Sequence, residues 1–358
     1  SEEIVREGQR RYKRHNSARA FVRDQVFQKL AESSKHQSFN PEKLKNDLSS
    51  SLEIRRTLEW MWPSLSAEHL IHDLFGSRAL LQSAAGSYFT DEDIEALHRP
   101  RSLHALEVEW TSNDVPILDE AQAQLGPRAG YKEEETIRTY GHIVVDEAQD
   151  LSPMELRMLK RRSLNGSMTL VGDIAQATGA WAHDNWEGIV DALSHKSGTR
   201  FSQLTVGYRL PQPTMDVAIR LLRDTQFGFN PPIAVREAGE EPRFVHVEIP
   251  ARLPAMVAAL VRAELEKLGP GNLAVIVPDA HLKTMSETLN SSGIGHGLVD
   301  AGALEDQVTL VPVSLIKGLE VDAAVVVEPT EIIDGEKNGL RALYVALTRA
   351  TQRLTIVH

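Results

Sequence analysis

The sequence predicts an α/β protein in which parallel β-sheets follow a mostly helical region. Short apolar runs rich in Val and Ile end abruptly in polar residues, as at Ile143–Val145. Such runs are typical of strands that are buried on both faces of a parallel sheet. They alternate with stretches of helical periodicity, which is the order expected of β-α-β units. Residues 1–125 contain no comparable run.

Composition is typical of a globular protein, and the length predicts two domains. The chain has 358 residues, of which 42% are hydrophobic and 25% charged. Cysteine is absent, which excludes disulfides and thiolate metal sites. The chain has neither an apolar stretch long enough to cross a membrane nor a signal-peptide pattern, so we expect a cytoplasmic protein.

The net charge of −11 weighs against a surface broadly committed to nucleic acid. The charge is uneven, because residues 1–60 carry 13 Lys or Arg against 9 Asp or Glu. Its basic part concentrates between Arg6 and Arg23. That segment is either a solvated helix face or a contact for a polyanion.

The helical region extends to residue 125, where we place the first domain boundary. Apolar residues recur at helical spacing in its first part, namely Ala20, Phe21, Phe27 and Leu30. The segment DVPILDEA, residues 114–121, predicts a short helix or turn before the first strand.

That first strand ends in two adjacent carboxylates, Asp146 and Glu147. Side chains at the carboxyl end of a parallel strand project into the crevice where α/β sheets bind ligands. One acid can hold Mg²⁺ and its neighbour can polarise a water molecule. The alternative is that these acids cap the next helix, which Ser152-Pro153 would begin.

Residues 126–200 continue this first sheet. A helix is predicted at Met154 to Leu164, and a second strand, Met168 to Val171, ends in Gly172-Asp173. Strand, helix and strand form a right-handed β-α-β unit. Composition shifts near Gly198, so we place the second domain boundary at residue 200.

Residues 201–358 predict a second parallel α/β domain with helices on both faces. Its predicted strands are Leu204 to Val206, Phe244 to Val247, Leu273 to Val277, Val308 to Val313, Ala323 to Val327 and Leu354 to Val357. Its predicted helices are Thr214 to Leu222, Leu253 to Leu268, His281 to Leu289 and Leu340 to Ala350.

Polar clusters recur in both predicted sheets. They lie at residues 172–176, at Tyr208-Arg209, at 317–320 and at 344–349. Carboxylates facing arginines across a cleft suit a nucleoside triphosphate, because Mg²⁺ and arginines neutralise charge on the transferring phosphoryl group.

Five ordered segments, DEAQD, GDIAQAT, GYR, SLIKGLEVD and YVALTRA, resemble the motifs of UvrD/Rep-type superfamily 1 helicases. The resemblance covers roughly residues 111–358, and five ordered motifs are far more specific than one. It implies two RecA-like domains, the first of which lacks its P-loop strand. It also implies ATP as cofactor, with GTP as the alternative, together with Mg²⁺.

The resemblance implies a role for each matched residue. Asp146 would ligate Mg²⁺, and Glu147 would orient or deprotonate the attacking water. Gln176 would sense the γ-phosphate, and Arg209 and Arg349 would act as arginine fingers. Three further residues would contact the nucleotide: Tyr208 by stacking on adenine, Glu320 by accepting a hydrogen bond from the ribose, and Gly318 beside it. For two residues a purely structural role is the alternative: Tyr344 as part of the core, and Asp150 as a helix cap.

The chain also departs from the helicase pattern. Trp181 stands where the family has an aromatic residue that stacks on a DNA base, a contact that contributes ~1–3 kcal/mol. Ala182 replaces the usual arginine, and Pro312 and Ser314 replace a Thr and a His that touch single-stranded DNA. Only His281 to Gln307 stands where the family inserts a large subdomain.

These departures resemble the HelD-type branch, whose members bind bacterial RNA polymerase and use nucleotide to release it. We therefore expect a polymerase-binding NTPase with weak or non-specific DNA binding and no membrane partner. The alternative is part of a UvrD-like 3′-5′ DNA helicase or translocase, which Trp181 and the basic N-terminal segment favour. A nucleotide-independent scaffold is a third interpretation.

The phosphate-binding motif G-x-x-x-x-G-K-[ST] is absent from the sequence. Neither a Lys-Ser nor a Lys-Thr pair follows a glycine. Family order would place this motif before Ser1, in an N-terminal segment that also supplies a strand to the first sheet. We therefore expect that sheet to be incomplete, with an exposed apolar edge, and this chain alone to hydrolyse no ATP.

Overall fold

The computed structural model describes residues 2–33, 48–131, 133–193, 198–223, 232–237, 239–299 and 306–358. The chain divides into two compact units. Unit 1 is Ser1–His142 with Arg157–Ser167, and unit 2 is Ile143–Leu156 with Met168–His358. Among the described residues, every helix is too short or too polar to span a membrane.

Unit 1 is helical. Its helices are α1 (Glu2–Arg11), α2 (His15–Ser33), α3 (Leu52–Met61), α4 (Ala67–Phe75), α5 (Arg78–Ala85), α6 (Asp91–Leu97) and α7 (Val115–Leu125). Residues 34–47 of the predicted helical region lie outside the described residues. Ser66, Ser77 and Thr90 accept hydrogen bonds from backbone N–H groups in the first turns of α4, α5 and α6, which explains where these helices begin.

Two apolar clusters and buried ion pairs stabilise unit 1. Ile71 and Phe75 of α4 pack with Leu81 of α5 and Ile94 of α6, and a separate cluster surrounds Trp62. The buried Asp114 pairs with Arg99, and α7 carries further carboxylates that pair with arginines. These ion pairs stabilise residues 114–121, the segment DVPILDEA for which the sequence predicts a short helix or turn.

Unit 2 begins with a two-stranded parallel sheet. Strand β1 (Ile143–Val145) pairs in register with β2 (Met168–Leu170). Helix α8 (Pro153–Arg162) follows β1 in the chain, and its residues from Arg157 onward belong to unit 1. Val144 in β1 and Val171 directly after β2 are exposed apolar residues. Helix α9 (Trp186–Leu193) follows this sheet.

The remaining elements of unit 2 form a second two-stranded parallel sheet and a six-stranded parallel sheet. The pair consists of β3 (Val206–Pro211) and β4 (Ile233–Arg236), with α10 (Gln212–Arg223) between them in sequence. The strands of the larger sheet are β5 (Arg243–Val245), β6 (Leu273–Val277), β7 (Gly297–Leu298), β8 (Val308–Pro312), β9 (Val321–Val327) and β10 (Ala350–Val357). Their order is β5-β10-β9-β6-β8-β7.

Both faces of the six-stranded sheet are covered. Leu273, Val275 and Val277 pack with residues of α11 (Leu253–Leu268) and α12 (Leu282–Ser291). The alternate residues Ala274 and Ile276 pack in a cluster with α10, α13 (Pro329–Gly335) and α14 (Gly339–Leu347). Burial on both faces explains why these strands are continuous apolar runs.

The predicted α/β class, with parallel sheets after a helical region, is confirmed. Three strands differ from the prediction. The strand predicted at residues 204–206 begins two residues later and belongs with β4 to the separate pair. Strands β4 and β7 were not predicted, because four and two residues give little periodicity. The domain boundaries at residues 125 and 200 stay predictions.

The last helix ends earlier than predicted, which changes the position of Arg349. Helix α14 stops at Leu347, because the Thr348 hydroxyl donates to the carbonyls of Tyr344 and Val345 and the chain then turns into β10. Arg349 therefore lies at the junction of helix and strand rather than on the helix.

Candidate functional site

The site begins at the end of β1, where the backbone of Glu147 is strained. Glu147 adopts a left-handed conformation with φ of 52°, and its N–H donates to Asp146 Oδ1 at 2.9 Å. Glutamate in this region costs roughly 1–3 kcal/mol, and such residues cluster at functional sites. The turn projects two carboxylates from a buried strand end.

Gln149 is fully buried and holds Glu147 in place. Its Nε2 donates to Glu147 Oε2 at 2.5 Å, and its Oε1 accepts from the backbone N–H of Asp173 at 3.1 Å. A Cβ on Gly172 would lie 2.1 Å from Gln149 Oε1, so any side chain there would displace the Gln149 amide. One amide thus links the ends of β1 and β2.

Asp150 belongs to the site and not to the helix cap. Ser152 caps α8 instead, since its Oγ accepts from the N–H of Glu155 at 3.2 Å and the Glu155 carboxylate accepts from the Ser152 N–H at 2.7 Å. Asp150 accepts a hydrogen bond from the Gly179 N–H at 3.2 Å and pairs with Lys317.

Gln176 and Arg349 are joined directly. Gln176 lies in the 3₁₀ turn Ile174–Gln176, where its Nε2 donates to Asp173 Oδ2 at 2.9 Å. Arg349 Nη2 donates to Gln176 Oε1 at 2.8 Å. The same guanidinium donates to the carbonyls of Val345 at 3.1 Å and Leu319 at 3.2 Å, and Arg349 is only 5% exposed.

The electrostatics of the site are coupled. Burial, reinforced by the charge of Arg209, lowers the pKa of Arg349 from its ordinary value. Burial would raise the pKa of Glu147, but the hydrogen bond from Gln149 and the positive charge of Lys317 outweigh it, and the net shift is downward. Glu147 is therefore an ionised carboxylate at neutral pH.

Lys317 lies among the carboxylates. Its Nζ is 3.2 Å from Glu147 Oε2 and 3.4 Å from the carbonyl oxygen of Gln176, and it also contacts Asp150. Burial lowers the pKa of Lys317, and the charge of Glu147 opposes that shift. The sequence had identified its segment, but Lys317 itself was not among the predicted site residues.

The other residues for which the sequence predicts nucleotide contacts are more exposed than Arg349. Arg209 Nε is 3.2 Å from Glu320 Oε2, and both side chains are about half exposed. Tyr208 is 80% exposed, and Gly318 has a φ of 77°, which favours glycine. The nucleotide contacts assigned to these residues stay predictions.

Trp181 is 62% exposed on a loop that several hydrogen bonds anchor. Lys337 Nζ donates to the carbonyl of Ala180 at 3.0 Å, and Asn338 Nδ2 donates to that of Gly179 at 3.2 Å. Tyr344, by contrast, is buried within the core cluster around α14, and burial raises its pKa. Tyr344 is a core residue.

The structure therefore brings Glu147, Gln176 and Arg349 into one network, with Asp146 adjoining it. The sequence analysis missed Gln149, Gly172 and Lys317 as parts of this network. Gln149 and Gly172 lie inside the segments DEAQD and GDIAQAT, so the motifs contained the signal. What distinguishes these residues from the others in their motifs is burial, and burial cannot be read from the sequence alone.

Asp146 offers one exposed carboxylate to a metal ion. Carboxylate oxygens suit Mg²⁺, which commonly keeps one or two protein carboxylates and completes its shell with water and phosphate. Among the described residues, no three His, Cys, Asp or Glu side chains form a metal cluster. A metal ion bound to Asp146 would therefore need further oxygen ligands from water or phosphate.

Neither a protein-family model nor a curated protein sequence matches the chain. One solved structure that it resembles is the C-terminal domain of a possible DNA helicase from Lactobacillus plantarum WCFS1. The two share 24% identity, and the match covers 42% of this chain and 87% of that chain, with a TM-score of 0.33. A likeness at this level carries no argument for function.

Proposed function

We propose that this chain carries the hydrolytic part of a helicase-like superfamily 1 ATPase site, and that the protein uses ATP to release bacterial RNA polymerase. The observation that carries the first part is the network in which Glu147, Gln176 and Arg349 meet within unit 2. Three motifs that are far apart in sequence contribute to it.

The chemistry of the network suits phosphoryl transfer. Glu147 is an ionised carboxylate on a fixed turn, placed to orient a water molecule. Arg349 is held by backbone carbonyls, so its charge needs little reorganisation to stabilise negative charge on a transferring phosphoryl group. Asp146 would hold Mg²⁺ beside them, and the metal would neutralise phosphate charge.

Photolabelling with 8-azido-ATP and Mg²⁺ tests nucleotide binding. We expect label in the β3 peptide that contains Tyr208, with excess ATP suppressing it. Arg349→Ala should reduce labelling about tenfold, since a charge-assisted hydrogen bond is lost. Arg220→Ala, at an exposed arginine on α10, is the matched control. Labelling that ATP does not suppress, or that Arg349→Ala leaves unchanged, would contradict the proposal.

Polymerase is proposed from the sequence resemblance to HelD-type proteins, and an acidic surface in unit 2 weighs against DNA as the alternative partner. Ser314 Oγ donates to Asp279 Oδ2 at 2.7 Å, which engages the hydroxyl in a position where the family contacts DNA. A pocket beside it is lined by Glu331, Asp334 and Glu336 as well as Asp279. Four carboxylates disfavour a phosphate backbone.

Copurification with bacterial core RNA polymerase tests the partner. The tagged chain should retain purified polymerase at physiological salt after nuclease treatment. Failure to retain it, or retention that nuclease abolishes, would count against the proposal.

A DNA translocase is the second candidate, and the exposure of Trp181 favours it. An exposed aromatic side chain can stack on an unpaired base. We expect weak, salt-sensitive binding of single-stranded DNA and no unwinding. Nanomolar binding at physiological salt that Trp181→Ala abolishes would establish the second candidate instead.

Hydrolysis by residues 1–358 alone is not expected. Backbone amides and the lysine of G-x-x-x-x-G-K-[ST] cradle the phosphates in this class of site, and the motif is absent from this sequence. ATP turnover by this chain that Glu147→Gln abolishes would show that another segment provides the cradle.

A further inference from the structure

Lys317 stands out because it contacts the catalytic carboxylate and the roles described above do not use it. Its Nζ lies 3.2 Å from Glu147 Oε2, contacts Asp150 Oδ2, and lies 3.4 Å from the carbonyl oxygen of Gln176. The Lys317 side chain is only 22% exposed, and that of Asp150 is 24% exposed. Three oxygens from three positions therefore surround one ammonium group.

The backbone around Lys317 explains why its side chain points to this place. Ile316 on one side is buried in the core cluster, and Val313 before it is buried as well. Gly318 on the other side adopts a φ of 77°, which turns the chain towards β9. The lysine is thus presented from a fixed loop.

We propose that Lys317 is a positioning residue that acts as the resident counter-ion of the carboxylate cluster and must leave Glu147 and Asp150 when a divalent cation occupies the site. This inference rests on the proposed function, because it assigns the cluster to metal-dependent chemistry. Lys317 then holds the carboxylates in place before metal and nucleotide are bound.

The physical reason is that an ammonium group and a divalent cation compete for the same negative charge. Like charges that lie close together repel more strongly at a protein surface than in bulk water. A divalent cation near Lys317 therefore meets a strong repulsion. Lys317 can relieve it by rotating its flexible side chain away from the carboxylates, since the surrounding loop stays fixed.

Mn²⁺ alone is the probe, with binding measured by electron paramagnetic resonance on the intact chain. Lys317→Met removes the charge and keeps the length of the side chain. It should raise Mn²⁺ affinity about tenfold or more, because the competing charge is gone. Lys317→Arg should stay close to the unaltered chain, and adding Asp146→Asn to Lys317→Met should abolish the gain.

Lys337→Met is the matched control, since Lys337 lies in the same unit and bonds a backbone carbonyl rather than a carboxylate. It should leave Mn²⁺ affinity unchanged. Equal affinity in Lys317→Met and the unaltered chain would overturn the inference, as would absence of Mn²⁺ binding in both.

A second measurement needs no variant and so is independent of folding defects. Brief acetylation followed by mass spectrometry reports the reactivity of each lysine amine. Saturating Mn²⁺ should increase acetylation of Lys317 and leave that of Lys337 unchanged. Unchanged reactivity of Lys317 would overturn the inference. Both measurements use metal without nucleotide, so their failure is distinguishable from failure of ATP labelling.

Discussion

Unit 1 and unit 2 both gather acids and bases, but they arrange them differently. In unit 1, the buried Asp119 of α7 pairs with Arg161 and Arg162. Both carboxylate oxygens of Asp114 accept hydrogen bonds from Arg99, at 2.6 and 3.1 Å. In unit 2, Glu147 is half exposed, lies on a strained turn and shares one lysine with Asp150.

The difference separates charges that stabilise a fold from charges that are available for chemistry. Carboxylates that are already paired with arginines have little unneutralised charge with which to bind another ligand. A strained glutamate with an adjoining exposed aspartate is costly to maintain, and that cost is consistent with a binding site. Substituting one group at a time in each unit tests this difference.

The largest effect is expected from Asp119→Ala in unit 1. Arg162 then loses its carboxylate partner while Arg161 keeps Glu120, so the free energy of unfolding should fall by about 3 kcal/mol, the low end of the cost of breaking a buried pair. Glu95→Ala, at an exposed pair with Arg78, is the control and should cost at most about 1 kcal/mol. Urea unfolding of both variants measures the difference, and equal losses would contradict a structural role for Asp119.

A smaller, pH-dependent effect is expected from Asp114→Asn. Hydrogen bonds from Arg99 outweigh burial and lower the pKa of Asp114 from 3.8 to about 2. A depressed folded-state pKa contributes stability above the unfolded value, so about 2 kcal/mol is present above pH ~4 and is lost as the pH falls through ~2.

Urea unfolding of Asp114→Asn and the unaltered chain between pH 2 and 7 checks this sign. The two stabilities should differ most at neutral pH and converge towards pH 2. A gap that stays constant with pH would show that the charge of Asp114 is not the source.

Gly172→Ala should have the smallest effect on stability but a direct effect on the site. The new Cβ would displace the Gln149 amide and so release Glu147, at a cost of about 1 kcal/mol because the displaced atom is the end of a flexible side chain. Gly295→Ala is the control, because a Cβ there meets nothing within 4 Å. Carboxylate NMR signals of labelled glutamate should shift for Glu147 in Gly172→Ala only. An unshifted signal would contradict the proposed clamp.

The sequence predicted the central strands of the six-stranded sheet well because burial on both faces leaves a clear signal. Runs such as Leu273–Val277 consist of apolar residues throughout, and helices of ordinary length separate them. Strand β4, with four residues and an exposed Ile233, lacks that signal. Its pairing with β3 depends on tertiary contacts.

For the candidate site, the sequence predicted the residues of the motifs but not the hydrogen bonds and ion pairs that join them. Sequence order showed that DEAQD and YVALTRA contain acids and an arginine. The hydrogen bond from Arg349 to Gln176, by contrast, depends on the early end of α14 and on how Ala175 packs in the core. The position of Lys317 depends likewise on a loop conformation that composition does not specify.

Hydrogen exchange of the whole chain with and without saturating MgATP measures whether nucleotide binds at the unit 2 cluster. We predict slower exchange in unit 2 peptides that contain Glu147, Gln176, Lys317 and Arg349. Peptides of unit 1 that contain Asp119 and Arg161 should exchange at an unchanged rate. Unchanged exchange throughout, or protection confined to unit 1, would contradict the assignment of the unit 2 cluster as the nucleotide site.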